Sequence, residues 1–406
     1  MRVIRIKTAF SRTEILFIIY FLYTLGDFGS RMLNWPAMYV QIPLYFFFLM
    51  SIVCVLGDKS YLPVDFLKWF VPFILLGFIS IIYSTSFSDS TQIIPTISMA
   101  FLLGFAISIM LKIPGSISWI KYSHIIVSIP IGIYLVRTFQ QAHWWSRLGE
   151  AFGMNENAVG LYFLVPFIFA ITEISRKNRI IINICSIAVC LYVMLLSGSK
   201  KALLGLIIFV IVYLYFKSKG MGKKVLIIVA SIAGVYALMW AVYSVPLLYN
   251  IIGYRMQLFL STFLNGSAIT GSGSTSERLD MISYGLRLFA KSPLFGNGIN
   301  TFQYYYGTAT GFYAYAHNNY IEILSTLGLL GFCLYYARHY KMIKGLIVNR
   351  GRNEKFAEGL ALIILILFYD IGMVTYHSTR IILLISLASF IVETIKAEAR
   401  ISDTSM

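Results

Sequence analysis

The strongest constraint on this chain is the length of its apolar runs. Stretches of 18 or more apolar residues recur from one end to the other, separated by short polar breaks. At 1.5 Å per residue, each stretch forms a helix long enough to cross about 30 Å of hydrocarbon. Water is absent there, so each crossing has to satisfy its own backbone hydrogen bonds, and a helix does so internally. With 58% apolar and 12% charged residues over 406 positions, the soluble globular classes are excluded. The chain is expected to be an all-α polytopic membrane protein forming a single integral membrane domain.

About twelve transmembrane helices are read, near 13–27, 38–56, 66–84, 92–111, 118–136, 157–174, 180–196, 202–216, 224–246, 318–336, 356–376 and 379–395. With the N-terminus inside, about two-thirds of the 33 basic residues fall in inner segments, and the opposite orientation would invert that ratio. Both termini are therefore expected to be cytoplasmic. The formal charge of +16 is mostly topological, so nucleic acid is not an expected partner. Met1 to Lys7 leads into a full-length span and not into a short apolar region with a cleavage site, so no cleavable signal is expected. Cys54, Cys185, Cys190 and Cys333 all lie in apolar runs and read as packing residues, and no metal site or disulfide framework is suggested.

This orientation leaves four features outside: the loop Thr138–Glu156, the turn Ser197–Lys201, the segment 246–317 and the last turn His377–Arg380. The third is the longest polar interruption and is expected to be an extracytoplasmic loop. It holds a Gly/Ser-rich tract (266–276) and an amphipathic helix over 277–291, whose Leu279, Ile282, Leu286 and Phe289 form one apolar stripe. The turn Ser292–Gly298 follows, and then Tyr315-Ala316-His317-Asn318-Asn319-Tyr320-Ile321-Glu322.

Inner Lys and Arg fix orientation, but the outer ones have no such task. Arg147, Lys200, Lys201, Arg255, Arg278 and Arg380, if they converge, suit a phosphate- or pyrophosphate-bearing lipid, because guanidinium groups pair with phosphate oxygens two at a time. Arg31, Arg137, Arg287 and Lys291 read as snorkelling or headgroup-binding side chains. His317 precedes a span at the membrane boundary, where a helix dipole and nearby arginines disfavour imidazolium. It is expected to be neutral and able to accept a proton; the plainer reading is a capping or interfacial histidine. Glu322 lies about 140° around the helix from it and reads as a poor orienting partner. Asp370 sits inside a span and is expected to hold a basic side chain. Tyr304, Tyr305, Tyr306, Tyr313 and Tyr315 read as an aromatic belt or as platforms for sugar rings.

Three blocks together resemble the O-antigen polymerase and O-antigen ligase superfamily over about residues 147–380. They are Ser197-Gly198-Ser199-Lys200-Lys201-Ala202-Leu203; Arg278 with Lys291-Ser292-Pro293-Leu294-Phe295-Gly296-Asn297-Gly298; and His317 to Glu322 ending in Gly328-Leu329-Leu330-Gly331. Arg147-Leu148-Gly149 with Asn155-Glu156-Asn157 is similar too. The chain departs at Lys200, where the family usually has arginine, which keeps the charge but not the planar fork. The resemblance implies a GT-C-like integral membrane glycosyltransferase of the bacterial inner membrane, with its active site facing the periplasm and no cofactor or metal. Its donor would be an undecaprenyl-pyrophosphate-linked oligosaccharide, its acceptor a glycan, and its surroundings membrane lipids; a chain-length regulator protein is a further implied partner. His317 and Arg278 would be catalytic, and Arg147, Lys200, Lys201, Arg255 and Arg380 would bind pyrophosphate or glycan. A polymerase is the favoured form and a ligase acting on lipid A–core the alternative. A flippase or transporter is the reading from a different class. It would show internal symmetry and charged or broken helices near mid-membrane.

Overall fold

In the computed structural model, residues 11–139, 146–174, 176–177, 179–257, 273–349 and 355–404 are described. The basic residues Arg2, Arg5 and Lys7, and positions 266–272 of the Gly/Ser-rich tract, lie outside them. Among the described residues there is no strand, and nine helices are long and apolar enough to cross a membrane. The other three expected spans coincide with the helices Lys200–Lys217, Phe356–Gly372 and Thr379–Thr404. Local signals set several boundaries. Ser11 caps the helix Arg12–Met32, its hydroxyl accepting from the Glu14 N–H while the Glu14 carboxylate accepts from the Ser11 N–H at 2.8 Å. Asn318 starts the helix Asn319–Val348 in the same way, accepting from the Ile321 N–H at 3.0 Å.

The helix Glu156–Ile174 lies at the centre, its apolar window 78% buried. Around it pack Ser116–Thr138, Ile180–Ser197 and Lys200–Lys217, and the last of these meets Phe356–Gly372. The helix Met221–Ser244 is the opposite case. Its window is 6% buried and Val242 is its one buried residue. An apolar helix needs no covering protein where hydrocarbon surrounds it.

Two elements depart from the sequence reading. The helix Gly273–Lys291 buries Met281 and Leu288 against Phe302, Tyr306, Ala316 and Ile321, while Leu279 and Leu286 of the expected stripe stay exposed. The helix therefore has two apolar faces. The one that packs on protein is rotated from the stripe, because Gly285 lets Ile321 and Phe302 approach its backbone.

The helix Asn319–Val348 is broken at Gly328, whose φ of 67° is left-handed. A Cβ there would meet the Leu294 carbonyl oxygen at 2.4 Å. The turn after Lys291 fills the break: Asn297 and Gly298 N–H groups donate to the Ser325 and Thr326 carbonyls, and Pro293 and Leu294 carbonyls accept from the Leu329 and Leu330 N–H groups. Every backbone group freed by the break that is named here thus has a partner, as a buried break requires. A broken helix was the mark expected of a transporter. This one lies nine residues after the helix start, and a loop from the same end of the bundle plugs it.

Candidate functional site

His317 stands just ahead of the helix Asn319–Val348, in a left-handed conformation (φ 51°) uncommon for a side-chain-bearing residue. Its neighbours hold it there. The Ala316 N–H donates to Glu322 Oε2 at 3.0 Å, Asn318 Nδ2 donates to the Ile371 carbonyl at 3.2 Å, and the Tyr315 ring lies 4.0 Å from the imidazole, centroid to centroid. Glu322 thus anchors the turn that carries His317 through backbone, a role its position around the helix concealed. Burial, followed by the charges of Arg278 and Lys201, pushes the imidazole down to about 4. It is neutral at pH 7, as the sequence predicts, but burial outweighs the charges.

Lys200 and Lys201 open the helix Lys200–Lys217, where Ser199 caps by accepting from the Ala202 N–H. Lysines at a helix N-terminus oppose the dipole, so this end concentrates positive potential and favours an anion. The preceding Gly198 is left-handed (φ 60°), and a Cβ on it would strike the Arg147 side chain at 2.8 Å. That close approach brings Arg147 over the turn. Lys201 Nζ donates to the Gly372 carbonyl, and Lys200 feels the charges of Arg278, Arg255 and Arg147. Arg147 bonds Glu150 through Nε (3.1 Å) and Nη2 (2.9 Å), and also pairs with Glu156; Arg255 lies 3.8 Å from Glu150. Among the described residues no carboxylate forms an ion pair with Arg278. Arg147, Lys200, Lys201, Arg255, Arg278 and His317 therefore gather at one end of the bundle, with Glu150 and Glu156 the acids paired among them.

Arg380 is placed differently. It is 3% exposed, lies 2.8 Å from Asp27 Oδ2 through Nη2, and stacks over the Tyr162 ring at 3.9 Å and the Phe28 ring at 4.6 Å. It sits apart from the His317 group, in a pocket whose acid the sequence reading did not name. Asp27 is an acid within an apolar span, and that alone was a usable signal. Asp370 corrects an expectation: its partners are the Tyr336 hydroxyl (3.0 Å) and the Thr375 hydroxyl, and among the described residues no basic group forms an ion pair with it. The Asn319 side chain joins this cluster, accepting from the Thr375 N–H at 2.9 Å and the Tyr376 N–H at 3.1 Å, so Asp370 helps fix the turn after its own helix.

Residues 185–336 match the family model described as O-antigen ligase. The resemblance to the O-antigen polymerase and ligase superfamily holds. The matched part contains Lys200, Lys201, Arg255, Arg278 and His317; Arg147 precedes it and Arg380 follows it. No curated protein matches the chain.

Proposed function

We propose that the protein is a glycosyltransferase that joins lipid-linked repeat units into O-antigen or a related surface polysaccharide. The observation that carries the reading is the pairing of a neutral His317 with a surplus of cations at one bundle end. His317 takes the proton from an acceptor sugar hydroxyl as that oxygen attacks the anomeric carbon of the donor. The bond from that carbon to the pyrophosphate oxygen breaks, and undecaprenyl pyrophosphate leaves with the electron pair. Arg278, Lys200, Lys201, Arg147 and Arg255 stabilise the charge developing on it. Attack from the opposite face inverts the anomeric centre, and with this many cations the step needs no divalent ion.

A pKa near 4 makes a weak base, and the donor itself corrects this. A pyrophosphate lodged beside Arg278 and Lys201 offsets their charge and raises the imidazole towards its ordinary value of about 6.5. The base is thus strengthened only when substrate is present. In this reading the site faces the periplasm, the protein lies in the inner membrane, and both termini are cytoplasmic, as the distribution of basic residues supports.

The description of the matching family favours a second form of the same chemistry, in which a ligase passes the finished glycan to lipid A–core. His317→Ala in the native strain separates them. Loss of long chains, with single repeat units still reaching the surface, supports the polymerase. Long lipid-linked chains beside uncapped core indicate the ligase, and an unchanged polysaccharide ladder overturns the base assignment.

A further inference from the structure

Behind the last turn lies a cavity of about 470 Å³, within the range that accommodates small ligands. Arg31, Asn34, Asn155, Tyr162, His377 and Arg380 line it. The deeply buried Arg380 lines this space, and its Nη2 lies near Asp27 but off hydrogen-bond alignment. Arg31 supplies a second guanidinium, so two fixed positive charges meet one carboxylate, Asp27. His377 and Tyr162 also face the space; burial pushes the His377 imidazole down to about 4, so it adds no charge at pH 7. Asn34, Asn155 and Ser378 add amides and a hydroxyl that match sugar hydroxyls, and Met32, Met99, Leu161 and Met373 add an apolar wall of the kind a sugar ring's C–H face packs on.

We propose that this cavity binds a carboxylated saccharide, as the subsite for the acceptor glycan. One surplus positive charge suits a single carboxylate better than a dianionic phosphate, and Arg31 and Arg380 both border the cavity that would hold it. The position fits. Met373, Val374 and His377 line the cavity, while the flanking Ile371 carbonyl and the Thr375 and Tyr376 N–H groups are bonded to Asn318 and Asn319, directly after His317. One short segment thus borders the saccharide cavity and braces the base. The acceptor role rests on the sugar-transfer reading; the binding of an acidic sugar does not.

The test uses the full-length protein in lipid nanodiscs, titrated with D-glucuronate, D-glucose and inorganic phosphate by saturation-transfer NMR, and with farnesyl pyrophosphate as a probe of the donor site. Glucuronate is expected to bind about tenfold more tightly than glucose or phosphate, and Arg31→Gln to lower that affinity about tenfold. Farnesyl pyrophosphate binding should be unaffected by Arg31→Gln and weakened by Arg278→Gln. Arg380→Gln alone strands Asp27, so the paired Asp27→Asn/Arg380→Gln variant, which removes both charges, is the cleaner second test. It should abolish the preference for glucuronate. Equal binding of glucuronate and glucose, preferred binding of phosphate, or an unchanged affinity in Arg31→Gln overturns the proposal. Glucuronate binding without farnesyl pyrophosphate binding supports the saccharide site and overturns the donor assignment.

Discussion

At one end of the helix Glu156–Ile174, Lys121 lies 3.2 Å from Glu173 and 2.7 Å from Glu358, and Arg176 reaches each of those acids at 2.9 Å. At the other end, about 26 Å away at 1.5 Å per residue, Arg147, Lys200, Lys201, Arg255 and Arg278 are gathered, and among the described residues Glu150 and Glu156 are the acids ion-paired with them. The residue types are the same, but the charge balance is not. Each of these acids is bridged by both Lys121 and Arg176, which suits a structural post: Lys121 and Glu173 are almost wholly buried, and burial is tolerable only when each charge is matched. Five bases beside two ion-paired acids, among the described residues, make this end the more positive of the two. In the proposed reading, stability belongs to the first and ligand binding to the second.

Substitutions can break that contrast. The largest effect is expected at His317: His317→Gln should lower transfer by about 10²–10⁴-fold, measured with lipid-linked donor in nanodiscs, while the unfolding temperature stays within error. A comparable loss of stability would place the residue in the fold and not in the chemistry. Lys121→Met should do the reverse. Removing the base that bridges Glu173 and Glu358 is expected to cost about 3–5 kcal/mol, read as loss of monodisperse protein and a lowered unfolding midpoint. Arg278→Met should reduce turnover by about 10²–10³-fold and leave the midpoint nearly unchanged, since no ion pair is lost among the described residues.

The acid limb of the pH profile sharpens the comparison. His317 titrates near 4 when buried beside Arg278 and Lys201, so kcat/KM should hold at pH 5 and fall only as pH approaches 4. The limb for kcat should lie higher, because bound pyrophosphate raises the same group, and Arg278→Met should move the kcat/KM limb up by removing a cation. For stability the sign follows from the same shift. The folded state resists protonation of His317 while the unfolded chain takes a proton near 6.5, so this contribution is complete above 6.5 and is lost as pH falls towards 4. The smallest effect is expected at Lys200→Arg, where a planar fork replaces a point charge. Farnesyl pyrophosphate should bind a few-fold more tightly, by about 1 kcal/mol or less.

Much of the site was visible in one dimension because its parts are local. His317, Asn318 and Glu322 fall within two turns, and Lys200 and Lys201 follow their capping serine directly. What stayed hidden depends on residues distant in the chain. Arg31 read as a snorkelling side chain, yet it shares a cavity with Arg380, and Asp27 acquires its meaning only when Arg380 arrives from the last helix. The helix Gly273–Lys291 was legible only in part for a related reason: it has apolar residues on two faces, and periodicity cannot say which one meets protein.

Run length and composition alone determined that this chain is helical and membrane-embedded, because a dry environment permits little else and the signal needs no partner residue. The break at Gly328, the loop that fills it, and which of the described basic residues pair with acids and which cluster together were decided by tertiary structure. Charge balance is a sum over neighbours in space, and in a bundle of long helices most of those neighbours are far apart in sequence.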